Sequence, residues 1–174
     1  MKVMNVAVVG AGIYGINHVN AYTWNPNTNL VAVCDLNPEI TDKIAKQYNV
    51  KTYNDVNEML DKEEIDAVSV ATPDAFHMEP ALAAIRHGKP VLVEKPLATT
   101  SEDAKKILAE AEKYGVRVAV DYHKRWDPAA INVRNELQNS DAGAPIRGYM
   151  NMDDIIDVPT EWFNWADKSS PVHF

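Results

Sequence analysis

Five short apolar runs recur along the chain, separated by stretches with helical spacing. The runs are Val6-Ala7-Val8-Val9, Leu30-Val31-Ala32-Val33-Cys34, Ala67-Val68-Ser69-Val70-Ala71, Val91-Leu92-Val93 and residues 116–120. They are near-continuously apolar rather than alternating, which predicts strands buried on both faces of a parallel sheet. Between them, Pro38 opens a helix over 39–48, with Ile40, Ile44, Ala45 and Tyr48 on one side. A short extended piece at 51–53 follows, then a helix over 55–60 for which Asn54 is the expected N-cap. Residues 75–87 read as a helix closed by Gly88, and Ser101 is the expected cap of a helix that runs to Tyr114 and stops at Gly115. Alternating strands and helices predict a doubly wound α/β fold, with helices on both faces of a parallel sheet.

The pattern changes after Asp121. A helix is expected over 128–138, a polar connection over 139–145 and an extended segment over 146–156. The aromatic stretch 157–174 has no clear period. An apolar strand and an aromatic tail cannot bury themselves in so little chain, so they read as the start of a second, incomplete α+β domain.

The first strand leads into Gly10-Ala11-Gly12-Ile13-Tyr14-Gly15, and the second ends on Asp35. Gly10 permits the tight turn, Gly12 lets backbone approach a pyrophosphate, and Gly15 lets the next helix pack closely. That helix N-terminus then offers free N–H groups and a positive dipole end to the phosphates. Asp35 follows at about the distance where a carboxylate meets the adenosine ribose hydroxyls. Its charge repels a 2′-phosphate, and Leu36-Asn37-Pro38 brings no arginine to receive one, so NAD is expected over NADP.

Composition narrows the partners. The formal net charge of −8 argues against nucleic acid or an anionic membrane. The lone Cys34 rules out an internal disulfide and, inside an apolar strand, reads as a packed small side chain. A strand beginning almost at Met1 leaves no room for a signal peptide, and no apolar run approaches membrane-spanning length, so the cytoplasm is the expected compartment. His18, His77, His87, His123 and His173 show no metal-helix spacing, and no metal site is expected. His18, on the first helix, reads as a packing residue.

Val93-Glu94-Lys95-Pro96, Ala71-Thr72-Pro73-Asp74 with His77, and Val120-Asp121-Tyr122-His123-Lys124-Arg125-Trp126-Asp127-Pro128 together resemble the glucose–fructose oxidoreductase / inositol dehydrogenase (Gfo/Idh/MocA) family. The resemblance covers nearly the whole chain. It implies a Rossmann domain over 1–122, with 123–174 as connecting helix and first strand of a substrate and oligomerisation domain. It also implies oxidation of a secondary hydroxyl of a sugar or polyol by hydride transfer to the nicotinamide. On this resemblance Lys95 is the catalytic lysine beside the nicotinamide, its peptide to Pro96 is cis, and an ammonium there stabilises developing alkoxide charge. The cofactor contacts it implies are Gly10, Gly12, Ile13, Tyr14, Gly15, Asp35, Thr72, Pro73, His77, Glu94, Lys95 and Arg125. Glu94 remains open between a helper of Lys95 and a structural acid, and His77 between a cleft role and local hydrogen bonding. Asp121 and His123 depart from the family's usual glycine and asparagine.

The resemblance expects an aspartate and a histidine after a Trp-rich stretch, and the chain stops at Phe174 before that pair. The sequence therefore reads as the cofactor-binding part of a longer dehydrogenase, itself inactive. The expected partners are a small sugar or polyol and, for the whole protein, further copies of itself. The alternatives are a non-catalytic dinucleotide sensor or scaffold of the same fold, and a lyase or glycosidase-like enzyme using transient NAD oxidation.

Overall fold

Each apolar run becomes a strand of one sheet. The computed structural model describes residues 2–139 and 143–149. Among them, one compact unit ends at Asp121 and a second begins at Tyr122. In the first, β1 (Met4–Val9), β2 (Thr28–Cys34), β3 (Lys51–Tyr53), β4 (Ala67–Val70), β5 (Val91–Glu94) and β6 (Val118–Asp121) form a six-stranded sheet in the order β3-β2-β1-β4-β5-β6. Every pairing is parallel. The order reverses between β1 and β4, and in such sheets the crevice beyond the strand C-termini at that point takes ligands.

Helices cover both faces. On one, Val8, Ala11, Val19, Val33 and Ile44 join the sheet to α1 (Gly15–Trp24) and α2 (Pro38–Tyr48). On the other, Ala7, Val9, Cys34, Val68, Val70, Val91 and Val93 meet α3 (Val56–Lys62), α4 (Met78–Arg86) and α5 (Ser101–Tyr114). Val8 and its neighbours Ala7 and Val9 thus serve opposite faces, as the two-residue strand period requires.

Three helix starts differ from the sequence reading. Asp55, not Asn54, caps α3: its carboxylate accepts the Glu58 N–H at 2.8 Å, while the Asn54 amide donates to the Asp35 carbonyl. Thr100, not Ser101, caps α5 by accepting the Asp103 N–H at 3.1 Å. In both cases the hydroxyl or carboxyl three residues before the free N–H has the reach that its neighbour lacks. The expected helix 75–87 divides into a 3-10 turn, Asp74–Phe76, and α4, whose end at His87 and Gly88 (φ +69) is as read.

In the second unit a 3-10 turn, His123–Trp126, precedes α6 (Pro128–Asn139), which buries no residue. Residues 146–149 belong to no strand. The rest of the expected extended segment, the aromatic stretch and His173 lie outside the described residues.

Candidate functional site

Backbone geometry builds the glycine turn. Gly10 has φ +86, and a Cβ there would meet Thr72 N at 2.6 Å. A Cβ on Gly15 would come within 2.0 Å of the Gly10 carbonyl oxygen, so the start of α1 packs directly on the turn. Gly12 has nothing within 4 Å of a Cβ position, and Ile13 and Tyr14 beside it are exposed. Space over Gly12 beside a helix N-terminus is what a pyrophosphate needs.

Asp35 is tied to the turn. Its Oδ2 accepts the Ala11 N–H at 2.8 Å and its Oδ1 accepts the Asn37 N–H at 2.9 Å. The β4 exit completes this end of the sheet. Ala71 N donates to Val9 O, Pro73 is exposed, and the Thr72 hydroxyl is buried without a hydrogen-bond partner. An orphaned hydroxyl against the glycine turn fits a missing polar ligand.

His77 links two loops. It is 1 % exposed; Nδ1 lies 2.7 Å from the Pro96 carbonyl oxygen and Nε2 lies 2.9 Å from that of Thr72. The ring thus spans the β4 exit and the loop after β5. Half-buried Lys95 stands in that second loop, and the Lys95-Pro96 peptide is cis. Arg125 is in the second unit, exposed, with its guanidinium 5.9 Å from the Tyr122 ring centroid.

A buried polar cluster lies at the ends of β4, β5 and β6, and sequence reading missed it. His18 is enclosed, yet it does more than pack. Its Nδ1 lies 2.8 Å from Ser69 Oγ, its Nε2 3.0 Å from Glu94 Oε1 and 3.9 Å from Asp121 Oδ2. Ser69 also hydrogen-bonds Tyr22, whose hydroxyl is pushed upward in pKa chiefly by burial. Glu94 Oε2 accepts the Lys95 N–H at 3.1 Å. These residues are scattered in sequence and meet only through the strand order, where Glu94 and Asp121 are register partners. The one local signal was a histidine three positions beyond Gly15. His18, Glu94 and Asp121 could together offer a metal three ligand atoms within 4.8 Å of one another, but the His18–Glu94 contact is itself spaced as a hydrogen bond. Cys34 is buried, and burial, then the charge of Asp35, pushes its thiol up to about 12, which leaves it an unreactive packed side chain.

A glycine turn against a helix N-terminus, with an acid at the end of the next strand, defines a dinucleotide-binding Rossmann domain. Residues 4–122 match the model of the Gfo/Idh/MocA oxidoreductase family, described as an NAD-binding Rossmann fold. The chain belongs to that family, and NAD is its cofactor. It is 37 % identical over 144 residues to inositol 2-dehydrogenase 2 of Saccharopolyspora erythraea, covering 80 % of this chain and 42 % of that protein. It is 33 % identical over 162 residues to inositol 2-dehydrogenase of Rubrobacter xylanophilus, covering 90 % and 47 %. Among solved structures, the WlbA dehydrogenase from Bordetella pertussis in complex with NADH and UDP-GlcNAcA superposes with a TM-score of 0.74 at 28 % identity, over 79 % of this chain and 40 % of that one. The chain thus spans less than half the length of the relatives it matches. No helix among the described residues is long and apolar enough to cross a membrane.

Proposed function

We propose that this chain is the cofactor-holding part of an NAD-dependent dehydrogenase that oxidises a secondary hydroxyl of a sugar or polyol. The observation that carries the reading is the position of Lys95. It follows directly from β5, beside β4 at the C-terminal edge of the sheet, and the loop it occupies is tied through His77 to the Thr72 turn against Gly10. A dinucleotide laid across Gly12, with its ribose at Asp35, runs along this edge toward that loop. When bound, NAD supplies the hydride acceptor. Gly10, Gly12, Gly15 and Asp35 hold the adenosine and pyrophosphate half, with Ile13 and Tyr14 flanking it. Thr72, with its orphaned hydroxyl, and Pro73 line the middle of the path.

Lys95 orients the substrate hydroxyl, stabilises charge developing on its oxygen and supports transfer of its proton. Glu94 and His77 act on the backbone around it, and the family resemblance counts Arg125 among the cofactor contacts. The reading assigns residues 1–122 to the cofactor domain and 123–174 to the start of the substrate domain. It further includes a homo-oligomeric whole protein in the cytoplasm. Names among the relatives support the substrate class: inositol 2-dehydrogenases, and a D-glucoside 3-dehydrogenase from Escherichia coli. Calorimetric titration of NAD into the purified chain tests the reading. Saturable one-to-one binding, weakened at least tenfold by Gly12→Val, is the expected result, and no binding overturns it.

A further inference from the structure

The cluster around His18 spans the two halves of the site. His18 lies on α1, the helix that starts at the glycine turn, and its ring is buried against the ends of β4 and β5. One ring nitrogen engages Ser69 in β4, and the other engages Glu94, the last residue of β5. Glu94 gives one carboxylate oxygen to His18 and the other to the backbone N–H of Lys95. A chain of contacts thus runs from α1 through His18 and Glu94 to the peptide from which the Lys95 side chain leaves.

The charges explain why a histidine suits this point. Glu94 and Asp121 are register partners on adjacent parallel strands, and two carboxylates side by side repel. His18 Nε2 faces both, at 3.0 Å and 3.9 Å. It satisfies Glu94 with a hydrogen bond and holds that carboxylate off Asp121. Without it, a buried carboxylate loses a partner, and its cheapest relief is to turn toward water, releasing the Lys95 N–H. Ser69, itself flanked by Tyr22 from the next turn of α1, fixes the other side of the ring. The ring therefore has a single seat.

We propose that His18 is a positioning residue for the nicotinamide end of the site, acting through Glu94 on Lys95. The inference rests on the cofactor reading above and adds to it a residue that touches neither cofactor nor substrate. Its energetic signature is selective. Loss of His18 leaves the Gly12 cradle and Asp35 intact, because those are held by the turn and by the Ala11 N–H. Only the nicotinamide ring, which Lys95 faces in the proposed reading, loses contacts.

The experiment compares NAD with ADP-ribose, which keeps the adenosine, the pyrophosphate and the distal ribose and lacks only the nicotinamide. Both are titrated calorimetrically into the full chain, unmodified and as His18→Asn, whose amide is too short to span Ser69 and Glu94. The expected result is an NAD Kd raised at least fivefold, with the ADP-ribose Kd within twofold of the unmodified chain. Glu94→Ala should lose NAD affinity to a similar extent, and the His18→Asn/Glu94→Ala double variant should be no weaker than the poorer single, because both act through one contact. Ser69→Ala, which removes only the far anchor of the ring, gives a smaller loss with the same selectivity and carries the test if His18→Asn does not fold by circular dichroism. Equal weakening of both ligands assigns His18 to the general integrity of α1 and overturns the inference. So does additivity in the double variant, or an unchanged NAD Kd. If the unmodified chain binds neither ligand, the cofactor reading itself falls and this inference with it.

Discussion

The Asp35 carboxylate receives the backbone N–H of Ala11 at 2.8 Å, so the acid at the end of β2 and the glycine turn after β1 are one unit. In the proposed reading Asp35 therefore has two tasks: it shapes the turn and it meets the ribose. Substitutions separate them. Asp35→Asn keeps an oxygen for the Ala11 N–H, gives up the acceptor of the exposed Asn37 N–H, and removes the charge that repels a 2′-phosphate. We expect it to lose little stability and to narrow the NAD over NADP preference at least tenfold. Asp35→Ala should weaken both cofactors. Fluorescence titrations with NADH and NADPH measure this, and equal affinity for the two in the unmodified chain would contradict it.

Gly12 and Gly15 make a contrasting pair. A methyl group at Gly12 meets no protein atom, whereas at Gly15 it meets the Gly10 carbonyl at 2.0 Å. Gly15→Ala must push α1 off the turn, at a cost of about 1–3 kcal/mol typical of overpacking, and should lower the urea midpoint. Gly12→Ala should leave that midpoint unchanged and still weaken NAD. A stability loss at Gly12 as large as that at Gly15 would contradict the assignment of free space to the cofactor.

Much of this was legible in the sequence, for physical reasons. Continuous apolar runs specify buried parallel strands, and Gly10, Gly12, Gly15 and Asp35 are separated by fixed local distances, so their meeting is encoded within 26 residues, from Gly10 to Asp35. The caps were misread by one residue at Asn54 and Ser101 because adjacent polar residues compete for the same free N–H, and only backbone angles decide. The His18 cluster is legible in the sequence only as a histidine three positions beyond Gly15. Its members come from α1, β4, β5 and β6, and their contact depends on the strand order and on the Glu94–Asp121 register. The sequence leaves His77 open between two roles, and its burial between two carbonyls is likewise a product of the fold.

His77 faces carbonyl oxygens from both ring nitrogens, and carbonyls only accept. His77→Leu fills the space but supplies no donor to either. The expected cost is about 1–3 kcal/mol, the penalty for leaving a buried polar group without its partner. Chemical denaturation measures it, and the loss should be accompanied by faster amide exchange in the Thr72 and Pro96 loops. Unchanged exchange there would mean that the ring does not clamp them.

Tyr53 and Glu63 hold the edge strand β3 and give a pH signature. The Tyr53 hydroxyl donates to Glu63, and Lys51 Nζ donates to the same carboxylate at 2.8 Å. The hydrogen bond to Glu63, then burial, raises the tyrosine to about 12 from an ordinary 10.0. A raised folded value means that this contribution is fully present below the unfolded value near 10 and is lost as pH rises through about 12. Alkaline titration at the tyrosinate absorbance band should show late-ionising tyrosines, and the step near 12 should disappear in Tyr53→Phe while the raised Tyr22 remains. Glu63→Gln should move that step back toward 10.

The last expectation concerns turnover. Binding of NAD requires the glycine turn, the start of α1 and Asp35, all within a unit whose two cores lie on either side of its own sheet. Hydride transfer requires more: a substrate carbon held about 3–3.5 Å from the nicotinamide and a base at its hydroxyl. In the proposed reading Lys95 supplies one charge for that task. The inositol 2-dehydrogenases that the chain resembles are more than twice as long as the stretch it covers, at 42 % and 47 % of their lengths. We therefore expect the 174-residue chain to bind NAD and to produce no NADH with a panel of polyols and aldoses. Absorbance at the NADH band decides the matter. Steady NADH formation that vanishes in Lys95→Ala, with NAD binding retained, would show instead that these residues suffice for catalysis.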